Sequence, residues 1–137
     1  MIHDVKCFPL GELTDYIYTV IFARHKNKWL YCRHKNRDTF ETAGGQIETN
    51  ETPLESAKRE LFEETGAVKF DITPVFDYSV NDSNGQAFLA HIHELGDMPD
   101  FEMAETALFD TTPEHRNLRF PQILPVLYDY LQELNNA

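Results

Sequence analysis

The chain has 137 residues, is 42% hydrophobic and 26% charged, and carries a formal net charge of −11. That length suits one domain with a sizeable core, and no apolar run is long enough for a membrane-spanning helix. The acidic balance argues against nucleic acid or an anionic membrane surface as a partner.

Met1-Ile2-His3-Asp4-Val5-Lys6 lacks the basic-then-apolar pattern of a signal peptide, so a cytoplasmic location is expected. Cys7 and Cys32 have no partner motif, and single thiols are the expectation, although a pairing stays open. No repeat, low-complexity tract or linker interrupts the chain, and residues 1–137 are read as one domain.

Tyr16–Ala23 and Lys28–His34 alternate as strands, and His25-Lys26-Asn27 between them predicts a hairpin. Arg24, Lys26, Lys28, Arg33, Lys35 and Arg37 supply six of the 12 Lys and Arg, with His25 and His34 beside them. Two readings stay open: an ordinary charged hairpin, or a positive wall receiving a phosphate-rich ligand. Phe40–Gly45 follows as a strand or extended loop. Trp29, Tyr31, Phe40 and Tyr78 offer rings for stacking on a base, although aromatic residues more often serve as core.

A helix is predicted over Pro53–Thr65. Thr52 is a good N-cap, Pro53 fits the first helical position, and Glu55 completes a capping box. Gly66 tolerates the left-handed conformation of a C-terminal stop. Leu54, Ala57 and Leu61 form the expected buried stripe, with Glu60 and Glu64 beside it and Glu63 further round. Pairs Glu60–Glu63 and Glu60–Glu64 repel, each by roughly 0.2–0.5 kcal/mol. They also stand in the half of the helix where its dipole disfavours negative charge. Arg59 offsets part of this through Glu63 or by reaching back to Glu51. A solvated acidic face is the ordinary explanation of such a set. A bound Mg²⁺ or Mn²⁺ would remove the repulsion, because hard oxygen ligands suit those ions.

Val68–Val80 is extended and β-prone, with Pro74 breaking or edging it. Asn81–Gly85 is a turn signal, and Gln86–Glu94 reads as a strand. Phe101–Asp110 carries Glu102 and Glu105 in a loop entering a strand. Pro121–Leu134 is a second helix, with Ile123, Leu124, Leu127, Tyr128 and Leu131 on its apolar side. Strands interrupted by one helix and closed by another imply a mixed sheet between helices.

Gly45, Glu51, Arg59-Glu60, Glu63-Glu64 and Gly66 stand at the spacing of the Nudix box, and all the fixed positions match. The segment therefore resembles the Nudix hydrolase superfamily, and its MutT-like members in particular. Ala67 replaces the usual larger aliphatic residue, and Ala43 the usual proline before the double glycine. The resemblance implies an α/β/α sandwich of the α+β class with a mixed central sheet. It implies hydrolysis of a phosphoric anhydride in a nucleoside diphosphate linked to another group, with Mg²⁺ or Mn²⁺ as cofactor. Glu60 and Glu64 would be the principal metal ligands. Glu63 would act directly or through water, and the Gly44 carbonyl would be a further ligand. Arg59 and Glu51 would orient helix and loop. Arg33 and Phe40 match family positions near the substrate, and Gly45 lets the backbone come close. Glu102 and Glu105 lie where related enzymes carry a late base or extra ligand. The short chain leans towards nucleoside triphosphates, canonical or oxidised, as the small-molecule partner. Hydrolysis of ADP-ribose or a nucleotide sugar, and a nucleotide-binding regulator without catalysis, are the alternatives. Homodimers are common in the family.

Overall fold

The computed structural model describes residues 3–99 and 103–135. Among these residues, eight strands and two α-helices run in the order β1 (Val5–Pro9), β2 (Tyr18–His25), β3 (Lys28–His34), β4 (Phe40–Glu41), β5 (Ala43–Gln46), α1 (Pro53–Thr65), β6 (Ala67–Val80), β7 (Ser83–Leu95), β8 (Met103–Phe109) and α2 (Leu124–Asn135), with a 3-10 turn at His115–Asn117 before α2. The sheet order is β1-β6-β7-β2-β3-β4, with β5 added against β2 and β8 against β3. Strands β2 and β7 are parallel and the other pairings antiparallel, so the sheet is mixed.

Each face of the sheet carries its own core. Ala57 and Leu61 of α1 pack on Ile21, Leu30, Phe88 and Ile92. Leu124, Leu127 and Leu131 of α2 pack on Val20, Phe22, Trp29 and Phe76. This is the expected α/β/α sandwich. Among the described residues, no helix is long and apolar enough to cross a membrane.

Helix α1 keeps its predicted limits and its capping box, and Gly66 closes it in the left-handed conformation. Its buried face differs from the predicted stripe. Leu54 is 37% exposed, whereas Ser56 and Thr65 are buried beside Ala57 and Leu61. Leu54 lies in the first turn, beyond the reach of the sheet. Thr65 can be buried because its hydroxyl donates to Leu61 O (2.6 Å) and accepts from Ala67 N–H (3.1 Å).

The hairpin turn holds Lys26 and Asn27 at φ 53° and 64°, the left-handed pair a two-residue turn requires. Pro74 does not end β6. Strand β1 covers only Phe76–Val80, so the missing N–H of Pro74 falls on an uncovered edge at a register shift. Gly85 is not in the turn but inside β7, where a Cβ would lie 2.2 Å from the Tyr78 ring. Helix α2 starts at Leu124, later than Pro121, and Pro125 occupies its first turn, where its missing N–H costs nothing. Strand β1, not anticipated, is a short edge strand ending at Pro9.

Candidate active site

Strands β4 and β5 run through the gap where β2 and β3 part. Residues 40 and 41 pair with β3, and residues 43–46 pair with β2. This lays Gly44 and Gly45 alongside the C-terminal half of α1. The Gly44 N–H donates to Glu64 Oε1 at 2.8 Å. A Cβ on Gly44 (φ 148°) would fall 2.3 Å from Thr19 O, and one on Gly45 would fall 3.0 Å from Glu60 Oε1. Both glycines therefore serve close approach, one to backbone and one to a carboxylate.

Arg59 organises the acidic side chains. Its Nε and Nη2 donate to the two oxygens of Glu51 at 2.6 and 3.1 Å, and its Nη1 donates to Glu60 (2.8 Å) and Glu63 (3.2 Å). The guanidinium holds the Glu51 carboxyl down at about 2. Burial acts the other way on the neighbouring pair. It pushes Glu64 up to about 9, with the charge of Glu60 adding to the effect. Burial also raises Glu60, against the pull of Arg59. Two partly buried carboxylates side by side are unfavourable as anions, and a cation between them would relieve that.

Among the described residues, no three His, Cys, Asp or Glu side chains are gathered closely enough to hold a metal ion. The reason is visible: Arg59 engages Glu60 and Glu63, and the Gly44 N–H engages Glu64. The donor set still fits a hard divalent cation, since Glu60 and Glu64 offer carboxylate oxygens beside a glycine strand with no side chain in the way. Rotation of Glu60 and Glu63 away from Arg59 would complete it.

The remaining expected residues are distributed as follows. Arg33 pairs with Glu105 across β3 and β8 (Nε–Oε1 2.9 Å) and donates from Nη1 to Arg37 O at 2.9 Å. It thus ties down the 34–37 turn, and Glu105 is committed to it. Glu102 lies outside the described residues. Phe40 is half-buried with its ring edge-on to Phe109, centroids 5.3 Å apart. Trp29 and Tyr31 are core: Trp29 packs on Phe22 and Tyr128, and Tyr31 on Phe109. Neither ring is free to stack on a base. Tyr78 is buried too, although it lines a cleft.

The basic segment does not form one wall. Its tip stands at the end of β2 away from Val20, the partner of Gly44. There Arg24 covers Trp29 at 4.6 Å and Lys28 pairs with Asp110 at 2.8 Å. Arg33 lies at the opposite end of β3. Cys7 and Cys32 are free, on strands separated by β6, β7 and β2. Four strand spacings come to about 19 Å, far beyond disulfide reach, roughly 7 Å between Cα atoms.

A cleft of about 560 Å³ opens beside the double glycine on the α2 face of the sheet. Glu41, Gly44, Gly45, Tyr18, Tyr78, Arg119, Phe120 and Ile123 contribute to its lining. Arg119 Nη1 donates to Glu41 Oε2 at 3.0 Å, and its guanidinium lies 4.3 Å from the centre of the Phe120 ring. Sequence reasoning passed over Glu41, Arg119 and Phe120. The available signal was a charged residue inside the Phe40–Gly45 strand and a basic–aromatic pair just before Pro121.

The NUDIX domain family matches residues 13–124. The chain belongs to the Nudix family. YtkD of Bacillus subtilis (strain 168), provisionally named an 8-oxo-dGTP diphosphatase, is 31% identical, covering 91% of this chain and 85% of YtkD. Among solved structures, a point mutant of the Bacillus subtilis pyrophosphohydrolase BsRppH has a TM-score of 0.82 at 29% identity. That match covers 96% of this chain and 90% of the other. A Nudix hydrolase from Clostridium perfringens shares the fold, with a TM-score of 0.64 at 18% identity over 88% of this chain and 96% of that one. The chain is thus a Nudix-family pyrophosphohydrolase. Nudix enzymes act on small nucleotide substrates and generally use divalent metal ions.

Proposed function

We propose that this Nudix protein is a nucleoside triphosphate pyrophosphohydrolase, acting on canonical or oxidised nucleotides with Mg²⁺ or Mn²⁺. The observation that carries the reading is the contact of Gly44 and Gly45 with Glu64 and Glu60 at the rim of a cleft large enough for a nucleoside. The name of the related YtkD supports a nucleoside triphosphate.

Glu60 and Glu64 would hold the cation, with Glu63 at the more exposed edge. The cation, when bound, neutralises phosphate oxygens and makes water a better nucleophile. Arg59 holds Glu51, Glu60 and Glu63 beside one another, and Glu60 and Glu63 would turn from it to meet the cation. Gly44 and Gly45 let the phosphate chain pass close to the backbone. Water adds to phosphorus, the anhydride P–O bond breaks, and nucleoside monophosphate and pyrophosphate leave with a proton released.

The test is a turnover screen with Mg²⁺ or Mn²⁺ in which the nucleoside monophosphate product is separated and quantified by chromatography. It covers canonical and oxidised nucleoside triphosphates, ADP-ribose, nucleotide sugars and dinucleoside polyphosphates, with Glu64→Gln as control. Turnover of a triphosphate by the wild type, reduced by orders of magnitude in Glu64→Gln, is the expected result. Turnover confined to ADP-ribose or a nucleotide sugar would overturn the substrate. Cation-stabilised protein that turns over nothing would favour a nucleotide-binding regulator.

A further inference from the structure

Ser56 is 0% exposed on α1. Its Oγ is the one buried side-chain nitrogen or oxygen among the described residues with no hydrogen-bond partner in the protein. The backbone there is satisfied, since Ser56 N–H donates to Thr52 O at 3.0 Å. A serine or threonine inside a helix often returns its hydroxyl to the carbonyl four residues back. Thr65 does so on this same helix, with Oγ1 donating to Leu61 O at 2.6 Å. Ser56 does not. Alanine at 56 would favour the helix more and leave nothing unpaired. A buried hydroxyl kept without a partner is rare, and it calls for an explanation outside the fold itself.

The second observation is where that hydroxyl stands. Ser56, Glu60 and Glu64 are spaced four apart, so they form one row along the helix. Glu60 lies against Gly45 and Glu64 against Gly44. Ser56 carries the row one turn further towards Thr52. It also neighbours Glu51, closely enough to help hold that carboxyl down, although no bond of proper geometry forms. Glu51 Oε1 accepts from Glu48 N–H and from Arg59 Nη2, and Oε2 accepts from Arg59 Nε. A carboxylate oxygen takes two donors, so Oε2 has room for another.

We propose that Ser56 is a positioning residue of the cation site. Its Oγ accepts from a water that the cation carries, and its O–H donates to Glu51 Oε2. Mg²⁺ sheds water reluctantly and keeps several waters when carboxylates bind it, and those waters need acceptors. The bridge joins the cation's hydration shell to the same carboxylate that anchors Arg59. The inference rests on the cation of the hydrolase reading and deepens it.

The experiment titrates Mn²⁺ into wild type, Ser56→Ala and Glu64→Gln and reads the free ion by electron paramagnetic resonance. Melting curves of the cation-free proteins run beside it. No nucleotide is present, so the result does not depend on turnover. Affinities are read well below every melting temperature, so a change in stability cannot imitate weak binding. Ser56→Ala should bind Mn²⁺ about tenfold more weakly, the lower end of what losing an outer partner costs a metal site. Without cation it should melt no lower than wild type, because alanine removes a hydroxyl that has nothing to bond. A hydroxyl that serves only the fold gives the opposite result, a lower melting temperature with unchanged affinity, and that would overturn the proposal. Affinity kept in Ser56→Ala but lost in Glu64→Gln would sink this proposal and leave the cation site standing. Equal affinity in all three proteins would place the cation elsewhere and overturn both. The expected loss in Ser56→Ala, with no turnover of any nucleotide by wild type, would sink the hydrolase reading alone.

Discussion

Gly45 and Glu60 face each other so closely that a Cβ on residue 45 would lie 3.0 Å from Glu60 Oε1. Gly45→Ala should therefore displace the carboxylate rather than the fold. Glu60 can swing by a few tenths of an ångström, so the stability loss should stay within about 1 kcal/mol. Activity and cation affinity should fall by roughly 10–100-fold, as for disturbed metal-site geometry. Gly44→Ala should behave differently. Its Cβ would meet Thr19 O at 2.3 Å, which is backbone and cannot yield. A stability loss above about 2 kcal/mol is expected there. Urea unfolding beside steady-state kinetics separates the two.

Arg59 bridges Glu51, Glu60 and Glu63 with one guanidinium. Arg59→Ala leaves three carboxylates without their counter-charge and should cost about 1–3 kcal/mol. It should also lower kcat/KM by roughly 10–100-fold. Arg59→Lys should recover little, because an ammonium cannot reproduce the two-pronged contact to Glu51. A lysine variant with full activity and stability would show that the planar fork is unimportant.

The clamp also sets an acid limit. Arg59 holds the Glu51 carboxyl at about 2, against an ordinary value of 4.5. A depressed folded value contributes stability above pH 4.5, and that contribution is lost as pH falls towards 2. Melting temperatures between pH 2 and 6 should fall more steeply in wild type than in Glu51→Gln. Parallel curves would refute the assignment.

Cation should stabilise the protein by mass action. At a concentration one hundred times its dissociation constant, a cation bound only to the native state contributes about 2.7 kcal/mol. Mg²⁺ or Mn²⁺ should raise the melting temperature of wild type, and much less that of Glu64→Gln. An equal rise in both would move the cation away from Glu64.

Both thiols should be inert in the native protein. Burial pushes Cys7 up to about 11 and raises Cys32 well above the ordinary thiol value. Iodoacetamide at pH 8 should modify neither within the time that labels both in urea, as read by intact mass. Rapid native labelling of Cys32 would show that β3 opens.

How much was legible in the sequence can be judged from α1. Thr52, Pro53, Glu55 and Gly66 set its limits through contacts within a few residues, and the structure keeps those limits. The spacing of Glu60, Glu63, Glu64 and Arg59 is likewise a property of one helix, so the family resemblance and the glutamate face followed from sequence. Leu54 was misassigned because whether a first-turn residue is covered depends on how far the sheet extends.

The cleft was out of reach for the same reason. Glu41 and Arg119 are 78 residues apart, and the bridge between Phe40 and Leu118, with Arg119 N–H donating to Phe40 O at 2.7 Å, brings them together. Arg33 was singled out from the sequence, but its partner Glu105 lies 72 residues away across a strand pairing and was not foreseen. Periodicity and capping are local, short-range effects, and by themselves they determined the elements and the acidic helix. Which side chains meet across the sheet, and which rings become core instead of binding surface, was decided by tertiary packing, because burial is set by neighbours that sequence distance does not reveal.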